Sequence, residues 1–233
     1  MRLRTERERF LQSVPVNLRL IGWWPALVSA LLLGAFFIME LLIQNPGSMQ
    51  DLTYPRRVIE TIVPLAFALQ VAFLLSPDNE PAMELLLSYP YPLHKLFWDR
   101  ALLIGILHTT IALTASVLFV VTLHTEYILL ALVRWLPAGI ALGGVAVFTS
   151  QLTRQGTFGM LMATLYWAAS LYGGDGLLKV WKWFWPFHIY LQPEKSGIMV
   201  YLLNRFSLVA IGIALTLLGL TLLKNEDRLL GNR

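Results

Sequence analysis

Cysteine is absent from the 233 residues, and charge is scarce: Asp, Glu, Lys and Arg together make up 14% of the chain. Without cysteine there is no disulfide, no thiolate nucleophile and no cysteine-ligated metal. A soluble domain carries about 25% charged residues, so this chain lacks the polar surface that a water-facing globule needs. A GxxxxGK[ST] motif is missing, and no polar stretch is long enough to hold a nucleotide-binding domain. Histidine is sparse and scattered, at His94, His108, His124 and His188, with no HExxH and no His–Glu pair at helical spacing in an apolar run. No local Ser–His or Asp–Asp pairing stands in for it, so nothing supports an intramembrane hydrolase.

What the chain has in quantity is apolar residues: 57% are hydrophobic and the mean hydropathy is +0.63. A bilayer is the expected solvent, and the length fits one bundle of about six helical spans at ~20 residues each plus loops. The expected fold class is therefore all-α, a polytopic membrane protein forming a single transmembrane domain over 1–233. The apolar runs predict spans near Leu20–Ile43, Val58–Ser76, Ala101–Leu123, Tyr127–Leu152, Thr157–Tyr172 and Phe206–Leu223. Each must be helical, because a helix satisfies every backbone polar group within its own segment. With the N-terminus inside, eleven of the 18 Lys and Arg residues fall on the inner side and seven on the outer. Both termini are then expected in the cytoplasm. The net charge of +4 reflects this bias and gives no reason to expect nucleic acid. The N-terminal residues contain Glu6 and Glu8 and no small-residue cleavage site follows the apolar run, so a signal peptide is not expected.

Three stretches are not simple spans. Residues 1–19 put Leu3, Phe10, Leu11, Val14 and Leu18 near one helical face, which suggests a helix lying on the inner membrane surface. Residues 173–199 concentrate Trp181, Trp183, Trp185 and Tyr190, rings that favour the headgroup zone. A helical or re-entrant outer segment is expected there, with anchoring as its simplest role and gating as the alternative. Residues 78–92 read "DNEPAMELLLSYPYP". Asn79 or Glu80 can cap a helix, Pro81 is tolerated in its first turn, and Glu80 and Glu84 suit the positive end of the helix dipole. The "YPYP" stretch ends that helix, and the chain resumes helix near Leu93. A short amphipathic helix joined stiffly to a long one is a lever.

Here the sequence resembles the ABC type-2 permease family, the membrane subunits of ATP-driven transporters. The resemblance rests on "MELLLSYPYPLHKLFWDR": a Glu, a Leu-rich turn, a Pro six residues on, and a basic residue ten further. Glu84, Leu85, Leu86, Leu87, Pro90 and Arg100 carry that pattern, with Glu80 in the preceding turn. The motif departs from the family's in having Pro81 where a Gly is common and Arg100 where a Lys is common. The resemblance implies that 78–92 is a coupling helix docking a separate ATP-binding cassette ATPase, which would hold the ATP and magnesium. It implies no cofactor in this chain, a second permease subunit as homodimer or heterodimer partner, and export across a prokaryotic inner membrane. A rival is an ATP-coupled protein that transmits force or a signal without transport; its outer loops would be large, and here they are short.

Polar residues inside the apolar runs are candidates for a translocation path: Glu60 and Gln70 in the second run, His108 and Thr109 in the third. Their structural alternative is equally defined, because Ser and Thr bond their own helix and a lone His can pack as a donor between helices. Arg134 lies about two turns inside the fourth run, with Glu126, Glu60 and Glu40 as possible partners. Gly139 and Gly143 form a GxxxG that permits close helix approach.

The cysteine-free background makes sidedness directly measurable. In intact cells or sealed vesicles, a membrane-impermeant maleimide is expected to label Asn79→Cys from one side and Lys195→Cys from the other. Labelling of both from the same side overturns the lever-inside, aromatic-outside arrangement.

Overall fold

The computed structural model describes residues 34, 53–76, 93–123, 128–173, 176, 182–191 and 196–223. Five long α-helices account for most of these: α1 (Thr53–Leu74), α2 (Leu93–Leu123), α3 (Ile128–Thr153), α4 (Gly156–Tyr172) and α5 (Ile198–Leu222). A short 3-10 helix, Lys182–Phe187, stands between α4 and α5. Among the described residues there is no strand. The interfacial N-terminal segment 1–19, the first expected span Leu20–Ile43 apart from Gly34, and the lever 78–92 lie outside the described residues.

The expectation of six crossings is corrected. Among the described residues two stretches are long and apolar enough to cross a membrane, Val133–Thr153 in α3 and Ile198–Leu222, which is α5. The apolar part of α1, Glu60–Leu74, is shorter. The fifth expected span, α4, has only 17 residues, and Thr, Tyr, Trp, Ser and Gly dilute its hydrophobicity. Apolar runs locate helices well, but a span also needs length without polar interruption. The last helix is longer than expected: it begins at Ile198 rather than Phe206, so Asn204 and Arg205 lie inside it.

Pairwise contacts fix the helix directions. Glu60 meets Arg134 and Ala72 meets Ser150, so α1 and α3 run parallel. Gly144 meets Gly212 and Phe148 meets Gly219, so α5 runs the same way. His108 of α2 reaches Val63, while Phe97 packs with Val71 and Leu75, so α2 is antiparallel to α1. Gly159 of α4 meets Ser150 and Ala146, and Trp167 reaches Thr61, so α4 is antiparallel to α3. We call the end where α1, α3 and α5 begin the near end and the opposite one the far end. The tight α3–α4 turn at the far end passes through Arg154 at φ 62, the left-handed position that more often closes a helix with glycine.

Helix α3 is the centre. Its neighbours reach it through small residues: six of the nine residues in the middle cluster are alanines, Ala68, Ala72, Ala138, Ala141, Ala146 and Ala163. The sequence-level GxxxG does serve close packing, but against a ring, since Gly139 and Gly143 face Phe67 of α1. The backbone-to-backbone approach is made instead by Gly144 and Gly212, where a Cβ on either would fall on the other helix's main chain. A second cluster at the far end joins Val71, Leu75, Phe97, Ile104, Val147, Leu220 and Leu223. Helix α5 turns much of its apolar surface outward, with Phe206 73%, Met199 68% and Ile198 65% exposed. So much contiguous exposed apolar surface suits lipid rather than water.

Overpacking the α3–α5 crossing tests this assembly. Gly212→Leu should lower stability by about 3 kcal/mol, the upper part of the range for forcing a side chain into a filled core. Gly139→Ala should be close to neutral, because its added Cβ meets Phe67 and Pro64 at 3.8 Å. Thermal unfolding of the detergent-solubilised protein, followed by tryptophan fluorescence, distinguishes the two.

Candidate functional site

Proline drives the near-end geometry. Pro64 lies inside α1 and has no N–H, so the Glu60 carbonyl loses its helical donor. One residue on, the Thr61 carbonyl accepts a bond from Trp167 Nε1 of α4 at 2.9 Å and a longer one from the Tyr190 hydroxyl at 3.5 Å. Burial pushes the Tyr190 phenol well above its ordinary pKa, with nearby Arg205 opposing the shift. It remains a neutral donor. The Val63 carbonyl lies 3.2 Å from His108 Nε2 of α2, and the imidazole leans on Phe67 with ring centroids 5.0 Å apart. Glu60 itself pairs with Arg134 Nη1 at 3.1 Å across the α1–α3 contact, the guanidinium buried and the carboxylate partly exposed.

The four candidate path residues are therefore not gathered on one surface. Glu60 is engaged with Arg134 and His108 with the α1 backbone. Gln70 is half-buried on α1, nearer the far end. Thr109 alone lines an open space, a cleft of about 410 Å³ between α2 and the α1–α3–α5 core.

The aromatic segment is strapped down at the near end. Asn204 Nδ2 donates to the carbonyls of Trp185 at 2.6 Å and His188 at 3.1 Å. Arg205 donates through Nη1 to Ile189 at 2.7 Å and through Nη2 to Leu191 at 3.2 Å, with its guanidinium 4.7 Å from the centre of the Tyr201 ring. From α4, the Tyr166 hydroxyl donates to the Phe187 carbonyl at 2.5 Å. Each of these carbonyls belongs to irregular or 3-10 backbone, which needs outside donors wherever water is scarce. The rings diverge, as helical steps of two residues require: Trp183 is 88% exposed, while Trp185 is half-buried. Trp181 lies outside the described residues.

At the far end, Ser150 Oγ of α3 donates to the Ala72 carbonyl at 3.4 Å, and Gln151 Nε2 donates to the Leu75 carbonyl. These close the C-terminus of α1, whose last carbonyls have no helical donors. Arg100 is buried, its guanidinium 5.4 Å from the centre of the Phe97 ring, and Asp99 beside it is buried as well. The other coupling candidates, Glu80, Glu84, Leu85, Leu86, Leu87 and Pro90, lie outside the described residues. Among the described residues, no cluster of three or more His, Asp or Glu side chains could hold a metal ion.

Sequence reasoning missed Asn204, Arg205, Ser150 and Gln151. The signal for the first two was present: adjacent polar residues within a long apolar run, hidden when that run is started at Phe206. Comparison with protein-family models, curated proteins and solved structures gives no match for this chain.

The strap is testable through its anchor. Arg205→Leu leaves the Ile189 and Leu191 carbonyls without their charged donor and should cost about 3 kcal/mol, from two charge-assisted bonds. Hydrogen–deuterium exchange over residues 182–191 should rise sharply while the centre of α3 stays protected. Unchanged exchange in 182–191 would show that the strap is held by other contacts.

Proposed function

We propose that the chain is the membrane subunit of an ATP-binding cassette transporter of the type-2 permease kind. It works with a second permease subunit and with ATPase subunits that bind ATP and magnesium, and it exports its cargo. The observation that carries this reading is mechanical. The lever 78–92 bridges Ser76, at the end of α1, and Leu93, at the start of α2. Just inside α2, Phe97 is fully buried in the far-end cluster and Arg100 is buried beside it. In this reading a displacement of the lever is taken up by this anchored start of α2. It passes into α2, a helix of 31 residues and so ~46 Å long.

The arrangement of the two ends supports the same reading. Ser76 and Leu93, which flank the lever, and the end of α5 at Leu223 belong to the far end, whereas the aromatic strap belongs to the near end, so force entering at one end has a defined element to act on at the other. The sequence assigns eleven of its 18 Lys and Arg residues to the side of the far end, the bias expected of a cytoplasmic face. In this reading the far end faces the cytoplasm of a prokaryotic cell, the chain sits in the inner membrane, and the strap faces outward. Irregular backbone held by side-chain donors is the kind of element that can open and reclose, which suits an exit gate.

The lever's contact is the place to test it. Glu84→Lys is expected to lower recovery of the ATPase in co-purification by about tenfold, the effect of losing roughly one good charged contact, with membrane insertion and melting unchanged. Full recovery of the ATPase with Glu84→Lys overturns docking through this segment. ATPase binding without cargo movement in reconstituted vesicles would favour force transmission over transport.

A further inference from the structure

Helix α2 stands further from the bundle than its neighbours do, leaning on α1, α3 and α5 mainly near the far end. The space left beside it is the cleft of about 410 Å³, within the usual range for a ligand pocket of roughly 300–1,000 Å³. Its floor is formed by Phe67 of α1, Gly143 and Gly144 of α3, and Thr216 of α5. The lining is mostly apolar, and two of its hydroxyls are satisfied within their own helices: Thr216 donates to the Gly212 carbonyl at 2.8 Å and Thr110 to the Ile106 carbonyl at 2.8 Å. Gly105 leaves the α2 wall bare, since a Cβ there would meet nothing within 4 Å. The cleft is thus an apolar slot.

The outward face of α2 orders its chemistry along that slot. Lys95, Trp98, Leu102, Ile106 and Thr110 are all exposed and follow one another three or four residues apart, on one face. Trp98 lines the slot toward the far end, and Lys95 lies one turn before it. A cation, then an indole, then an aliphatic channel is the order in which a phospholipid presents its phosphate, its interfacial region and its chain.

We propose that this cleft holds one acyl chain of an anionic phospholipid, with the headgroup at Lys95. A second copy of the chain would bring a helix, which needs a wider groove than a slot walled by a glycine, and would leave the placement of Lys95 unexplained. The site needs only that the chain sits in a bilayer; it does not depend on the transporter reading.

The test is native mass spectrometry of the full chain in detergent, supplied with equal amounts of phosphatidylglycerol and phosphatidylcholine. The wild type should retain phosphatidylglycerol preferentially. Gly105→Leu fills the slot while improving helix propensity. It should reduce retention of both lipids by about tenfold, as losing the burial of about two methylenes would, with melting and oligomeric state unchanged. Lys95→Gln should abolish the preference for phosphatidylglycerol while phosphatidylcholine is held as before. Trp183→Ala, at the other end, should change neither. Retention by Gly105→Leu equal to wild type overturns the proposal. So does a change of oligomeric state in Gly105→Leu, which would make the cleft a contact between copies, or a fall in melting temperature, which would mean that the chain itself fills it. An unchanged lipid preference in Lys95→Gln overturns the headgroup assignment.

Discussion

The close approach of Gly144 to Gly212 is the constraint around which the bundle is assembled. In lipid, the surroundings are as apolar as the helices, so association rests on van der Waals contact at short range and on hydrogen bonds between helices. A helix at the centre must then be narrow on several faces at once. Helix α3 is: Gly139 and Gly143 admit Phe67 of α1, Gly144 admits α5, and Ala146 and Ser150 lie against Gly159 of α4. The fourth neighbour, α2, stands off and leaves a cleft whose floor includes Gly143 and Gly144.

The second organising rule is that backbone carbonyls left open are filled by side chains from a neighbouring helix. In α1, side-chain nitrogens of α4 and α2 reach the Thr61 and Val63 carbonyls in the turn that leads to Pro64. The end of α1 is closed by Ser150 and Gln151 of α3. The irregular strap is closed by Asn204 and Arg205 of α5. Unmet hydrogen bonds are costly in a water-poor setting, so polar side chains inside apolar helices here tie elements together. That is why Glu60 and His108, which by type resemble path residues, are engaged in packing between helices.

The two ends of the molecule differ in kind. At the far end, aliphatic and aromatic side chains from α1, α2, α3 and α5 interlock, which makes a stiff joint. At the near end, hydrogen bonds to a short 3-10 element hold the surface together, and such bonds can exchange partners at modest net cost.

Composition and run length were enough to establish an all-helical chain and to locate its five long described helices, because a backbone in apolar surroundings has few ways to satisfy itself. Acidic caps and paired prolines are the local signals behind the expected lever at 78–92, which lies outside the described residues. Arg134 could be paired only as far as three candidates, since the choice of Glu60 depends on α1 and α3 lying parallel and in register. The expected number of crossings is not matched among the described residues, because the apolar part of α1 is short and α4 is short and diluted with small and polar residues. The work of Asn204 and Arg205, the Gly144–Gly212 crossing and the cleft beside Gly105 were decided by tertiary structure alone. Each depends on residues far apart in the chain meeting at atomic distance, and a one-dimensional pattern encodes which face a residue occupies but not which helix will stand against it.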